Sequence, residues 1–317
     1  MHYLQGNPVS CYACAGFSPS LLNPGPFAKK TLGVSIICIL YPERLEVRTE
    51  MAYRPAHLQH EMIEEDMGLH AGPRPGDPMP DFELPSTDGG IIRKSDYIGR
   101  IPMLMVMNSI TCPMTATSSP VLRRLWNEYG DRIAFVSLYV RDAHPGENFP
   151  QAKTSKQKMH HARQLKERDD IHWPVAVDSL NGTLHQELDS KSNAAYIMDT
   201  QGNVVFRSLF ANDERVLRHA LEEVLAHPTQ TIGESEPKVV PMLSGLGVAY
   251  EVLDHAGEQA KQEFREEMPQ AYVLARAASI FKPLPPFWRS VATIASAVVA
   301  LGGLAAGVVV VARKARR

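Results

Sequence analysis

The stretch "IPMLMVMNSITCPMT", residues 101–115, constrains the fold more than any other part of the chain. Its apolar run shows no polar alternation, the pattern of a strand buried on both faces. Small polar residues follow, and Pro113 suits the first position of a helix. The unit is therefore strand, tight turn, helix, with Cys112 at or beside the helix N-cap. Unpaired backbone N–H groups and the helix dipole favour negative charge there. Such a setting lowers a thiol pKa, and the thiolate is the reactive form. Cys112 is the candidate nucleophile. Ser109 and Thr111 stand where they could hydrogen-bond the sulfur or a substrate, and Pro113 borders them.

The flanking segments extend this unit. "GPRPGDPMP" (72–80) is a turn-rich lead-in, and "DFELPSTDGGIIRKSDYIG" (81–99) reads as a hairpin across Asp-Gly-Gly. "RIAFVSLYV" (132–140) is a second buried strand. The first helix is predicted to run from Pro113 to about Tyr129, kinked at Pro120. "SKQKMHHARQLKER" (155–168) is an amphipathic helix with Met159, Ala162 and Leu165 on one face. His160 and His161 on that helix read as surface residues. "WPVAVD" is extended, "TLHQEL" a short helix, "AYIMDTQGNVVFRSLF" (195–210) a hairpin and "NDERVLRHALEEVLAH" (212–227) a closing helix. Strand–helix–strand units put parallel strands at the centre, and the late hairpin adds antiparallel ones. The expected class is α/β: a thioredoxin-like fold with an N-terminal β-hairpin over residues 72–227, plus a C-terminal helical segment and one transmembrane helix.

Residues 1–71 are expected to be a disordered or weakly ordered extension. Its "CYAC" (Cys11, Cys14) follows no strand and opens no helix. Residues 228–288 are expected to hold a linker and juxtamembrane helices. Within them Leu243, Leu246, Tyr250, Leu253, Gly257, Ala260 and Phe264 recur at steps of three and four, a heptad-like helical seam. Residues 290–312 carry no charge, enough for the roughly 20 apolar residues that a span needs. A transmembrane helix is therefore expected over 289–312, with Phe287 and Trp288 as an interfacial belt and 313–317 as a basic tail. The expected localisation is a membrane, by a single-pass C-terminal anchor, with the main domain on the cytosolic side.

Lysine and arginine total 33 against 35 acidic residues, which argues against a nucleic-acid-binding surface. Four cysteines are too few for a disulfide scaffold. The fourth residue of a C-x-x-C motif at Cys112 would be Thr115, so no near neighbour can form a disulfide with it. A one-cysteine redox enzyme passes through a sulfenic acid or a mixed disulfide with an external thiol. "YVRDAHPGENF" (139–149) follows the second buried strand, and in an open α/β sheet the loops at the carboxyl strand ends form the site. An Asp142/His144 pair there would manage a proton. Asn193 or Ala194, ahead of the late hairpin, would line the site where thioredoxin has its proline.

"SITCP" followed by "YVRDAHPGENF" resembles the iodothyronine deiodinase family, which places selenocysteine in such a setting on a thioredoxin-like fold. The resemblance covers roughly residues 78–226. It implies that Cys112 takes the selenocysteine position, and that Ser109 and Thr111 match the polar residues before it. Tyr139, Asp142, His144 and Pro145 match the second motif, with Asp142 and His144 as proton suppliers. Met114 stands where that family has a second proline, and Phe210 falls near its arginine. The "PDFELPSTDGG" entry looks like the wider peroxiredoxin and redoxin superfamily. The activity these likenesses imply is that of a membrane-anchored thiol oxidoreductase. Cys112 attacks a peroxide, a disulfide or a halogenated aromatic, an external thiol resets it, and no metal or organic cofactor is implied. A homodimer is a further expectation, and the alternative is a non-catalytic, membrane-tethered redoxin scaffold.

Overall fold

The computed structural model describes residue 53 and residues 55–314, with side chains as far as residue 300. Cys11, Cys14, Cys38 and the rest of residues 1–50 lie outside the described residues. A hairpin of β1 (Glu83–Pro85) and β2 (Ile91–Arg93) leads into the central sheet. The sheet holds β3 (Met103–Asn108), β4 (Ala134–Tyr139), β5 (Val175–Val177), β6 (Ala195–Met198), β7 (Val204–Ser208) and β8 (Gly233–Ser235). Their order is β5-β4-β3-β6-β7-β8. β3 pairs parallel with β4 and antiparallel with β6, as a thioredoxin-like sheet requires. The strand–helix order is the one the sequence predicts from residue 81 to 227; β8 was not expected.

The apolar run of β3 serves two cores. Leu104 and Val106 enter one with the helices α2 (Pro113–Tyr129), α3 (Ser155–Arg168) and α5 (Glu214–Ala226). Met103, Met105 and Met107 enter the other, under the hairpin. Alternation of side chains across a strand explains why a run with no polar residue is needed here. α2 continues unbroken through Pro120. The hydroxyls of Ser118 and Ser119 donate to the Thr115 carbonyl just before the proline.

The helical segments correct the sequence reading most. Residues 60–65 form α1 (His60–Glu65), although 1–71 was expected to lack firm order. Leu58 and Met62 of that region are buried. The expected single seam is broken at Gly257, whose φ of +127° is the left-handed side that favours glycine. It divides α6 (Val239–Ala256) from α7 (Glu258–Glu267), and α8 (Pro269–Ala278) follows. The Glu147 carboxylate accepts from the Glu258 and Gln259 N–H groups and so caps α7. α6 packs against α2, α8 and α9 (Pro286–Lys314). Leu253, Ala256, Ala260 and Phe264 close a third core with Leu58. The seam residues thus pack within the chain, on α2, α8, α9 and Leu58.

The transmembrane expectation fails. No helix among the described residues is long and apolar enough to cross a membrane. The start of the 289–312 stretch is spent on protein packing. Arg289 pairs with Glu251 at 3.1 Å, Ser290 Oγ donates to the Leu243 carbonyl at 2.7 Å, and Ser290 and Thr293 are buried. Phe287 and Trp288 precede this docked turn and are not an interfacial belt for a span. A single-pass anchor, and the membrane localisation drawn from it, are accordingly withdrawn.

Two glycines let α6 approach its neighbours. A Cβ at Gly247 would sit 2.0 Å from the Pro286 carbonyl oxygen, and one at Gly245 2.5 Å from Met114 Sδ. Backbone cannot yield as a methionine can. Gly247→Ala is therefore expected to cost about 1–3 kcal/mol in denaturant unfolding. Gly245→Ala should stay within about 1 kcal/mol of the parent, because Met114 moves and alanine favours the helix.

Candidate active site

Asn108 and Tyr139 are the last paired residues of β3 and β4, so the turn 109–112 and the loop from residue 140 leave the sheet side by side. Two hydroxyls fasten them together. Ser109 Oγ accepts from the Ala143 N–H at 3.3 Å, and Thr111 Oγ1 accepts from the His144 N–H at 3.1 Å. Both residues are fully buried. These bonds fix the His144 loop beside the cysteine.

Cys112 is the N-cap residue of α2, with Pro113 at the first helical position, as predicted. It is 2% exposed and lies in the wall of a cavity of about 450 Å³. Pro113, Met114, His144 and Phe210 border the same space. Its opposite side comes from outside the strand–helix domain: Met62 of α1, Leu246 and Ala249 of α6, Phe264 of α7 and Leu274 of α8. The polar groups on the wall are few, chiefly Cys112, His144, Asp66, Arg141 and Ser192.

Burial pushes the Cys112 thiol above its ordinary value, and the nearby Asp66 carboxylate adds to the rise. Hydrogen bonds from Thr115 and Met114 at the helix start oppose it. A helix terminus is worth about 0.3–1 kcal/mol, under one pKa unit, whereas full burial moves a group by up to 3–5 units. Desolvation wins, and the lowered pKa expected from the N-cap position is not found. His144 Nδ1 is buried without a partner, and the ring stands edge-on to Phe264 at 5.6 Å. Burial lowers its pKa from 6.5 to about 4, with Glu263 opposing, so the imidazole is neutral at pH 7.

Asp142 and His144 do not form the expected pair. The Asp142 carboxylate accepts from the Tyr139 hydroxyl at 2.6 Å and lies 3.2 Å from His161 Nδ1. Its side chain is 2% exposed and that of His161 4%. Burial and the Asp142 charge hold the Tyr139 hydroxyl well above its usual pKa. His161 is thus a buried partner and not the surface residue expected. Its signal was its four-residue spacing from Leu165, which puts both on one helix face. Asn193 is also structural: its amide donates to the Met107 carbonyl and Ser118 Oγ, and its oxygen accepts from the Ala211 N–H. Of the eight residues expected at the site, only Cys112, Pro113 and His144 reach the cavity.

Sequence reasoning missed Asp66, Arg141 and Ser192. Ser192 Oγ donates to Asp66 Oδ2 at 2.7 Å, while Asp66 Oδ1 is buried without a partner. Arg141 donates to the Tyr53 carbonyl at 3.0 Å and lies over the Tyr53 ring. Among the described residues no group of histidine, cysteine and acidic side chains is placed to hold a metal.

Residues 75–207 match the AhpC/TSA family. That segment is the part of the chain similar to this family. It makes up under half of the 317-residue chain. The matched segment contains Cys112 and His144, but Asp66 and α6–α8 fall outside it. Among solved structures, the chain is similar to an uncharacterized conserved protein from Geobacillus kaustophilus at 18% identity, covering 53% of this chain and 89% of that one, with a TM-score of 0.41. Peroxidoxin BcpB from Mycobacterium tuberculosis is 17% identical, with 50% and 99% covered and a TM-score of 0.37. A thiol-disulfide oxidoreductase from Bacteroides fragilis is 15% identical, with 47% and 99% covered and a TM-score of 0.36. No curated protein matches the chain.

His144 links acid to stability. Its folded pKa of about 4 lies below the ordinary 6.5, so the unfolded chain binds the proton more readily between those values. Stability is present above 6.5 and declines as pH falls toward 4. His144→Gln removes this contribution. Thermal melts across pH should then show a shallower acid decline, by on the order of 3 kcal/mol at pH 4. His185, also held low by burial, leaves a residual slope.

Proposed function

We propose that the chain is a single-cysteine thiol oxidoreductase of deiodinase-like kind, in which Cys112 attacks an apolar organic electrophile held in the cavity. The observation that carries this reading is the apolar cavity of about 450 Å³ with the Cys112 sulfur on its wall. That volume suits a small organic molecule. At 2% exposure, Cys112 favours a substrate that enters the cavity over a disulfide presented by a folded protein. Of the three electrophiles the sequence suggested, an organic hydroperoxide and a halogenated aromatic fit this enclosure.

The chemistry needs one sulfur and an external reductant. With a hydroperoxide, sulfur bonds to the distal oxygen, the O–O bond breaks, and the products are a sulfenic acid and an alcohol. One external thiol converts the sulfenic acid to a mixed disulfide and water, and a second releases Cys112 as the thiol. Cys112 is the one cysteine among the described residues, so no resolving partner is supplied by them. Neutral His144, with Nδ1 unpartnered, can hydrogen-bond the polar end of the substrate. Ser109, Thr111, Tyr139, Asp142 and Asn193 hold the walls in place. A non-catalytic redoxin scaffold is the second reading, and the raised thiol pKa favours it.

Turnover of the full chain with dithiothreitol separates the two. Cumene hydroperoxide and 2-iodophenol serve as the bulky electrophiles and hydrogen peroxide as the small one. Cys112→Ser is expected to fall to the uncatalysed background. Leu246→Trp, which fills the cavity, should lower kcat/KM for the bulky electrophile at least about tenfold and affect hydrogen peroxide less. Turnover that survives Cys112→Ser, or a wild type without turnover on any of the three, would overturn the catalytic reading.

A further inference from the structure

The cavity holds a sulfur that must lose a proton and a substrate that must gain one. Neither loop residue first suspected can carry that proton as a carboxylic acid would. Asp142 is turned away to Tyr139 and His161, and His144 is neutral across the physiological range. The carboxyl group that lines the same cavity as Cys112 is Asp66.

Asp66 is the C-cap of α1, ahead of the matched segment 75–207. Its position is fixed from the other side of the cavity. Ser192 Oγ holds Oδ2 at 2.7 Å, and Lys191 Nζ donates to the neighbouring Glu65 carbonyl at 2.7 Å. Oδ1 is buried and has no partner. A buried carboxyl oxygen left without a partner costs free energy, so its retention beside a nucleophile points to use.

Resting on the reading of Cys112 as the nucleophile, we propose that Asp66 is the proton carrier of the reaction: it takes the Cys112 thiol proton and gives it to the leaving group. With a hydroperoxide the atoms balance. Thiol and carboxylate become thiolate and carboxylic acid. Sulfur then bonds to the distal oxygen, the O–O bond breaks, and the alkoxide takes the proton from Asp66. The products are sulfenic acid, alcohol and the original carboxylate. With a halogenated aromatic, sulfur bonds to the halogen, the carbon–halogen bond breaks, and the aryl carbon takes the proton. The sulfenyl halide then gives a mixed disulfide and halide with an external thiol.

The charges around Asp66 suit a carrier. Burial raises its carboxyl, while Ser192, Arg141 and Lys191 pull it down. Its charge in turn raises the Cys112 thiol. Two groups that oppose each other's ionisation share one proton over a range of pH. His144 faces the same cavity but stays neutral, and Glu263 lies behind it.

Asp66→Asn separates the role from packing, because the amide keeps the shape. Two readouts on the full chain should move in opposite directions. Alkylation of Cys112, with Cys11, Cys14 and Cys38 replaced by serine, should show a lower thiol pKa, since a negative charge is gone. Turnover of cumene hydroperoxide should fall by about 10²-fold or more despite the greater thiolate fraction. Turnover that follows the thiolate fraction, equal to wild type or faster, would overturn the role of Asp66 and leave Cys112 as the nucleophile. A wild type inactive on every electrophile would instead sink the proposed function and this role together. Ser192→Ala covers the case of an unfolded asparagine variant. It keeps the carboxyl but removes its hydrogen bond, so the pH–rate profile should shift to higher pH; an unshifted profile counts against Asp66.

Discussion

Removal of the Cys112 sulfur from water governs the rest of the structure. The strand–turn–helix unit places the cysteine at a helix start, where charge is welcome. α6, α7, α8 and the α1 region then cover that position with apolar side chains. The cover outweighs the helix terminus, and the resting thiol is held protonated rather than activated. On the proposed reading, such a site takes a substrate that can leave water and needs a base inside the cavity.

The cover is built from close contacts. α6 reaches α2 because Gly245 leaves room for Met114, and it meets α9 because Gly247 clears the Pro286 carbonyl. The loop that carries His144 is locked to the same helices. Gly146 lies against the Ala256 carbonyl, the Asn148 N–H donates to that carbonyl at 3.1 Å, and Glu147 caps α7. Glu263 of α7 accepts from the Leu58 N–H at 2.9 Å and draws in the chain before α1. Residues 75–207 and their cover therefore share one set of contacts around Cys112.

The strands were legible because burial on two faces leaves a plain mark on "PMLMVM" and "AFVSLY". Cys112 and Pro113 were legible because proline has few places in a helix. The polar network was not. Spacing along a chain says which side chains share a face, not which carboxylate meets which imidazole, so Asp142 was paired with His144 and not with His161. Asp66 lies in a short acidic helix with nothing local to mark it. The apolar stretch from residue 290 met a length criterion, but composition alone does not reveal that its first turn docks on α6 through Arg289, Ser290 and Thr293.

The most direct test of the enclosed sulfur is protection of Cys112 by an inert apolar occupant. The full chain with Cys11, Cys14 and Cys38 replaced by serine is labelled with N-ethylmaleimide across a range of cumyl alcohol. The account requires slow labelling that cumyl alcohol slows further and saturably, by about tenfold when the alcohol stands at ten times its Kd. Labelling as fast as a free thiol, and indifferent to the alcohol, would contradict it.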